Sequence, residues 1–167
     1  MPPHRGPPFI QICSLDAARD ADLDGFGGVI TIENSIVEDP LRIEGMGTSQ
    51  LVLRFDDIAG EPVEDYLQPL VGQCILPNEA HVHSALGFGR KCGDTSLLIH
   101  CHAGMSRSPA IALAILADFL GPGNEEQAVE ELLGLVRLCT PNNLVVEIAD
   151  GLLGRQGKLV SAVKVLE

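Results

Sequence analysis

Along the 167-residue chain the apolar positions switch between a period of two and a helical period, and the switches predict alternating strands and helices. Short apolar runs bounded by turn formers predict strands at Phe9–Ser14, Val29–Glu33, Leu51–Phe55 and Ser96–His100. Leu15–Arg19 reads as a helical turn, while residues 34–49, with Pro40, Gly45 and Gly47 and no period, read as a loop with one helical turn in it. Ile58–Glu64 is a loop, and Tyr66–Leu76 fits neither period. Asn78 is placed to N-cap a helix that carries Val82, Ala85, Leu86 and Phe88 inward and stops near Gly93. From Ala110 to Leu120 the chain is apolar nearly all round, with Pro109 in the first turn, which predicts a central buried helix. Gly121-Pro122-Gly123 ends it, and Asn124 with Gln127 three residues on predicts a capping box for the next helix, with Ala128, Leu132, Leu135 and Val136 on one face. Pro141-Asn142-Asn143 restarts a last helix, Leu144–Leu153, and Lys158–Glu167 alternates without a period that assigns it. Residues 1–8 read as a disordered lead. Residues 9–167 read as one α/β domain, a mostly parallel central sheet with helices on both faces.

Composition narrows the class. The chain is 46% apolar without a long uninterrupted apolar run, which fits a domain with a sizeable core and no membrane span. The stretch MPPHRGPPF has one arginine and two proline pairs ahead of any apolar run, unlike a secretory signal. A net charge of −12 offers no basic stripe to nucleic acid or to an anionic membrane. The five cysteines, Cys13, Cys74, Cys92, Cys101 and Cys139, are scattered and lack CxxC spacing, which fits a reducing cytoplasm better than a disulfide framework. Most read as small buried hydrophobes, and one of them is a candidate resolving partner for an oxidised Cys101.

The candidate chemistry sits in IHCHAGMSRSPA, residues 99–110. Cys101 ends an apolar strand, Gly104 stands mid-loop, and Arg107 precedes the apolar helix. Backbone amides of a short loop curling into a helix N-terminus converge on one point and favour an anion. A cysteine in such a cup is activated as a thiolate nucleophile. Arginine, a planar fork of donors, clamps two oxygens of one phosphate. The histidines raise a rival reading, zinc, through His81, His83, His100, Cys101 and His102. The pair His81 and His83 lies on a helix, where i and i+2 face apart, and a metal-bound Cys101 would leave Arg107 idle, so no metal and no other cofactor is expected.

The segment HCHAGMSRS resembles the signature loop of the cysteine-dependent protein tyrosine and dual-specificity phosphatases, down to the mid-loop Ala-Gly and the closing Ser-Arg-Ser. VRLCTPNN resembles a second element of that family through Arg137, Pro141 and Asn142, and the FDDI stretch is similar to small bacterial predicted tyrosine phosphatases. The resemblance covers roughly residues 50–153. It implies a dual-specificity-phosphatase-like fold and a cytoplasmic phosphomonoester hydrolase. In that reading Cys101 attacks phosphorus, while Arg107 and the amides of His102, Ala103, Gly104, Met105, Ser106 and Arg107 hold the phosphate oxygens. Ser108 donates to the departing sulfur, and His100 supports the loop.

The leaving group needs a proton, and Asp56 and Asp57 end a strand that delivers them to the same sheet edge. Adjacent residues leaving a strand point apart, and Asp57 is the favoured acid. Asp57 stands farther from Cys101 than the family's acid does. An inserted turn around Gln68 to Pro77 would absorb the difference, and Glu61 and Asp65 are the fallbacks. The expected substrate is a phosphorylated protein or a small phosphoester. Two rivals stand beside this reading: a catalytically silent phosphatase-like binding module, should neither aspartate reach the loop, and a rhodanese-like sulfurtransferase.

Overall fold

Every segment read as a strand from its apolar run is a strand, and all of them run the same way. A computed structural model describes residues 6–44, 47–58 and 74–166. Strands β1 (Phe9–Cys13), β2 (Gly28–Glu33), β3 (Ser49–Arg54) and β4 (Ser96–His100) form one parallel sheet in the order β1-β4-β2-β3. Among the described residues six helices accompany it: α1 (Leu15–Asp20), α2 (Glu79–Lys91), α3 (Arg107–Leu120), α4 (Glu125–Leu135), α5 (Asn143–Leu153) and α6 (Lys158–Val163). Single 3₁₀ turns cover Leu23–Gly25 and Lys164–Leu166.

Side-chain alternation along the strands sorts the two faces. Ile10, Ile30, Ile32, Leu97 and Ile99 point into the main core, where α2 to α6 pack. Val29 and Leu98 point the other way, against Ala18 of α1 and the partly buried Leu41 and Ile43. Helices therefore lie on both faces, unequally. The centre of the main layer is α3, buried at every residue from Arg107 to Ala117. Burial of each large aliphatic side chain there, such as Ile111 or Leu113, contributes about 1.5–3 kcal/mol. That packing holds the start of α3 firmly at the carboxyl edge of the sheet.

Four details depart from the sequence pattern. The central helix begins at Arg107, three residues earlier than its apolar run. Asn124 precedes α4 but forms no capping box: its Nδ2 donates to Leu120 O (2.7 Å), closing α3 instead, and Gln127 donates to Glu131. No helical turn occurs among the described residues of 34–49. Helix α5 is not the last, because Lys158–Val163 forms α6. The cap of α6 comes from another helix: Asp150 accepts from the amides of Gly157 (2.8 Å), Leu159 (2.9 Å) and Val160 (3.2 Å). Of the expected lead, residues 1–5 lie outside the described residues, while Gly6 exchanges hydrogen bonds with Asp94. Among the described residues no helix is long and apolar enough to cross a membrane.

Candidate active site

Parallel strands bring their carboxyl ends to one edge, and there the chemistry-bearing residues gather. His100 closes β4 between Cys13 of β1 and Thr31 of β2 in the strand register. The loop from Cys101 to Ser106 follows and runs straight into α3.

Three outward hydrogen bonds fix the shape of this loop. The carbonyl of His102 accepts from Leu15 N (3.0 Å), that of Met105 from Thr140 N (2.9 Å), and that of Ser106 from Asn142 N (3.1 Å). In a trans peptide the carbonyl and the following N–H point opposite ways, so these anchors turn the amides of Ala103, Ser106 and Arg107 to the inner side of the loop. Gly104 N donates to Cys101 Sγ at 3.2 Å. Gly104 is obligatory twice over. Its φ is +76°, and a Cβ there would stand 2.8 Å from the carbonyl carbon of Cys13. The cradle thus rests on β1 and on the α4–α5 connection at once.

Cys101 is nearly fully buried at the base of the loop. Arg107, also buried, donates through one nitrogen, Nη1, to Asn34 Oδ1 (2.8 Å) and to Phe55 O (2.9 Å). Among the described residues no hydrogen bond engages its remaining donors, which can meet a bidentate oxyanion. Ser108 lies fully buried in the first turn of α3, its hydroxyl without a hydrogen-bond partner among the described residues. His102, Ala103 and Met105 are exposed on the rim.

Asp57 and Asp56 part company as they leave β3. Asp57 is exposed, and its Oδ1 accepts from Ser106 Oγ (2.7 Å) and Asn142 Nδ2 (2.9 Å). Those donors are the N-cap residues of α3 and α5. Ser106 makes no cap bond to its own helix, its hydroxyl being turned to Asp57. Asn142 divides its amide, the oxygen capping α5 at Val145 N and the nitrogen holding Asp57 and Ile58 O. Asp56 instead bridges two loops, accepting from Ser35 N (3.1 Å) and Ile75 N (2.8 Å). Burial pushes its carboxyl up, but the Ile75 and Ser35 hydrogen bonds and nearby Arg107 outweigh this and hold it below the usual carboxylate range. Glu61, Asp65 and the stretch 68–73 lie outside the described residues.

Surrounding groups complete the electrostatics. His100 Nε2 meets Thr31 Oγ1 at 2.9 Å. Burial lowers its pKa, the Cys101 backbone and Glu33 push it back, Arg19 lowers it further, and the net shift is downward, so the ring is neutral at pH 7. The pKa of the Cys13 thiol is raised by burial and then by the nearby Cys101. His81 packs against Phe55 in a tilted ring contact, centroids 4.9 Å apart, and closes the cap of α2 with Asn78, while His83 is exposed on the same helix. Among the described residues no group of His, Cys, Asp and Glu is arranged to hold a metal ion. Arg137 is exposed, whereas Pro141 and Asn142 are buried beside the loop. Two clefts of about 310 Å³ open at the two ends of the loop. One is lined by Cys101, His102, Leu15 and the 34–41 segment, the other by Asp57, Ser106, Asn142 and Leu166. Asn34 and Ser106 as anchors of Arg107 and Asp57 are absent from the sequence reading. The available signal for Asn34 was its place, a polar residue directly after a parallel strand.

Comparison with known proteins bears on the fold. No family model matches the sequence, and no curated protein matches it. Solved structures do. The structure of DUSP15 superposes with a TM-score of 0.58 at 19% identity, covering 95% of this chain and 90% of that one. Tk-PTP in its active form gives 0.57 at 18% identity over 93% and 99%. PTPMT1 in complex with PI(5)P gives 0.52 at 18% identity over 89% and 94%. The all-parallel sheet, the helical layer and the strand–loop–helix at Cys101 together carry the fold of the dual-specificity and tyrosine phosphatases.

Proposed function

We propose that the protein is a phosphomonoester hydrolase of the tyrosine or dual-specificity phosphatase kind, acting through a phosphocysteine on Cys101. One observation supports this above the others: Cys101 Sγ lies at the base of a loop whose anchored carbonyls turn its amides inward, with Arg107 tied back by a single nitrogen.

In the first step Cys101 Sγ attacks phosphorus in line with the ester oxygen. The S–P bond forms, the P–O bond breaks, and the leaving oxygen takes a proton from Asp57. Arg107 and the loop amides from His102 to Arg107 stabilise the equatorial oxygens throughout, where charge spreads in the transition state. In the second step a water gives its proton to Asp57 and attacks phosphorus. The S–P bond breaks, and Ser108 donates a hydrogen bond to the departing thiolate. His100, neutral and held by Thr31, keeps β4 and the loop in register. The substrate is a phosphorylated protein or a small phosphoester. DUSP15 and the PI(5)P complex of PTPMT1 are consistent with that breadth.

The test is release of phosphate from an aryl phosphate by the full chain in the presence of a chelator. Turnover sensitive to vanadate and abolished by Cys101→Ser is expected. Activity that survives Cys101→Ser overturns the reading.

A further inference from the structure

The helical layer carries a second groove that shares no lining residue with the clefts at the loop. It runs between α4 and α6 with a volume of about 730 Å³, larger than either of them. One wall presents Glu126, Val129, Glu130 and Leu133, the other Lys158, Ser161, Ala162 and Val165. The first set lies at i, i+3, i+4 and i+7 on α4, and the second runs along α6 into the 3₁₀ turn that holds Val165, so two ridges face each other across the groove. Val129 and Ala162 are buried and form the floor, while Leu133 is 37% and Val165 75% exposed.

The acidic wall is electrostatically unfulfilled. Glu126 and Glu130 stand one turn apart on an exposed face, where like charges repel, and neither belongs to an ion pair among the described residues. Glu125 lines the same groove at 4% exposure. Among the described residues its carboxylate accepts no hydrogen bond, and its one ion pair, with buried Arg155, is long at 3.6 Å. An apolar stripe bordered by the unpaired carboxylates of Glu126 and Glu130 is what a cationic amphipathic helix complements, apolar side chains into the floor and cations along the rim.

We propose that the α4–α6 groove docks a helix of a partner protein that carries lysine or arginine along one flank of its apolar stripe. Lysine at 158, on the opposite wall, orients the helix by disfavouring cations on its other flank. A second copy of this chain, at net charge −12, meets the groove with like charge, as do nucleic acid and anionic lipid.

The probe is a fluorescein-labelled leucine–lysine amphipathic peptide of about 18 residues, long enough to hold a helix. Its anisotropy is titrated with the full chain at about 0.15 M salt, where the field of distant charges is screened. Saturable binding is expected, weakened about tenfold or more by Glu126→Lys with Glu130→Lys, and comparably by Leu133→Asn with Val165→Asn. Asp20→Lys with Asp24→Lys changes net charge identically at exposed positions in and just after α1, and should alter affinity by less than about twofold. Three results overturn the proposal: no saturable binding, equal weakening by the two charge reversals, or full affinity in the Leu133/Val165 variant. Phosphate release by each variant reports its folding, and because the groove is separate from Cys101, failure of docking leaves the catalytic reading untouched.

Discussion

Asp57→Asn isolates the proton from the architecture. Asparagine keeps an Oδ1 that still accepts from Ser106 Oγ and Asn142 Nδ2, so the residue stays docked between the N-termini of α3 and α5. Those bonds weaken on losing the charge, but Asp57 is exposed, and the cost to stability should be about 1 kcal/mol or less. Catalysis is affected far more, because positioned general acids contribute about 10²- to 10⁴-fold, or about 3–5 kcal/mol of barrier. The loss should scale with the leaving group's need for a proton. With 4-nitrophenyl phosphate, whose phenolate departs readily, kcat should fall least; with phenyl phosphate or a phosphoserine peptide it should fall most. Steady-state phosphate release across such a series, with thermal melts to verify folding, measures both parts. A loss of the same size for every leaving group refutes the acid role, and so does a folded Asp56→Asn that reproduces the graded pattern while Asp57→Asn remains active.

Further expectations follow from other contacts. Gly104→Ala forces a left-handed φ on alanine, costing about 1–2 kcal/mol before its Cβ meets the Cys13 backbone, and should lower the melting temperature while removing phosphate release. Asp150→Ala strands three amides at the start of α6, and urea denaturation should register a loss of about 3–5 kcal/mol; a loss under 1 kcal/mol would show that α6 caps itself. Glu33, paired with Arg42 and Arg54, is pushed up by burial but held below the ordinary range by those two arginines. Its folded pKa lies below its unfolded one, so its stabilisation is complete at neutral pH and disappears as pH falls through the depressed value. The stability gap between the wild type and Glu33→Gln should therefore close on acidification, and a gap that widens toward low pH contradicts the assignment.

What the sequence revealed and what it concealed divide along contact range. Strand and helix boundaries depend on neighbours a few residues away, so Ser96–His100, the Asn78 cap and the buried run of α3 were all legible. Cys101 and Arg107 were legible because the loop that joins them is continuous. The pairing of Asp57 with Ser106 and Asn142 joins three separate segments, and nothing in local pattern predicts that a serine at a helix start will turn its hydroxyl outward. The Asn124 misreading has the same cause in reverse: a sound capping motif was outcompeted by the carbonyl of Leu120, brought near by the turn at Gly121. Helix α6 was hidden because its cap comes from Asp150 on the preceding helix.

The order β1-β4-β2-β3 has a consequence for how the molecule is made. Strands β2 and β3 are neighbours both in sequence and in space and can pair early, but β4 must enter between β1 and β2 across a long sequence separation, from Cys13 to Ser96 on the β1 side. Closing so long a loop delays the ordering that later contacts reward, so such a topology folds slowly. Cys101 directly follows that inserted strand, and its neighbour Gly104 packs on the end of β1. The loop at Cys101 therefore has its full support only once β4 lies beside β1, because Gly104 rests on the Cys13 backbone.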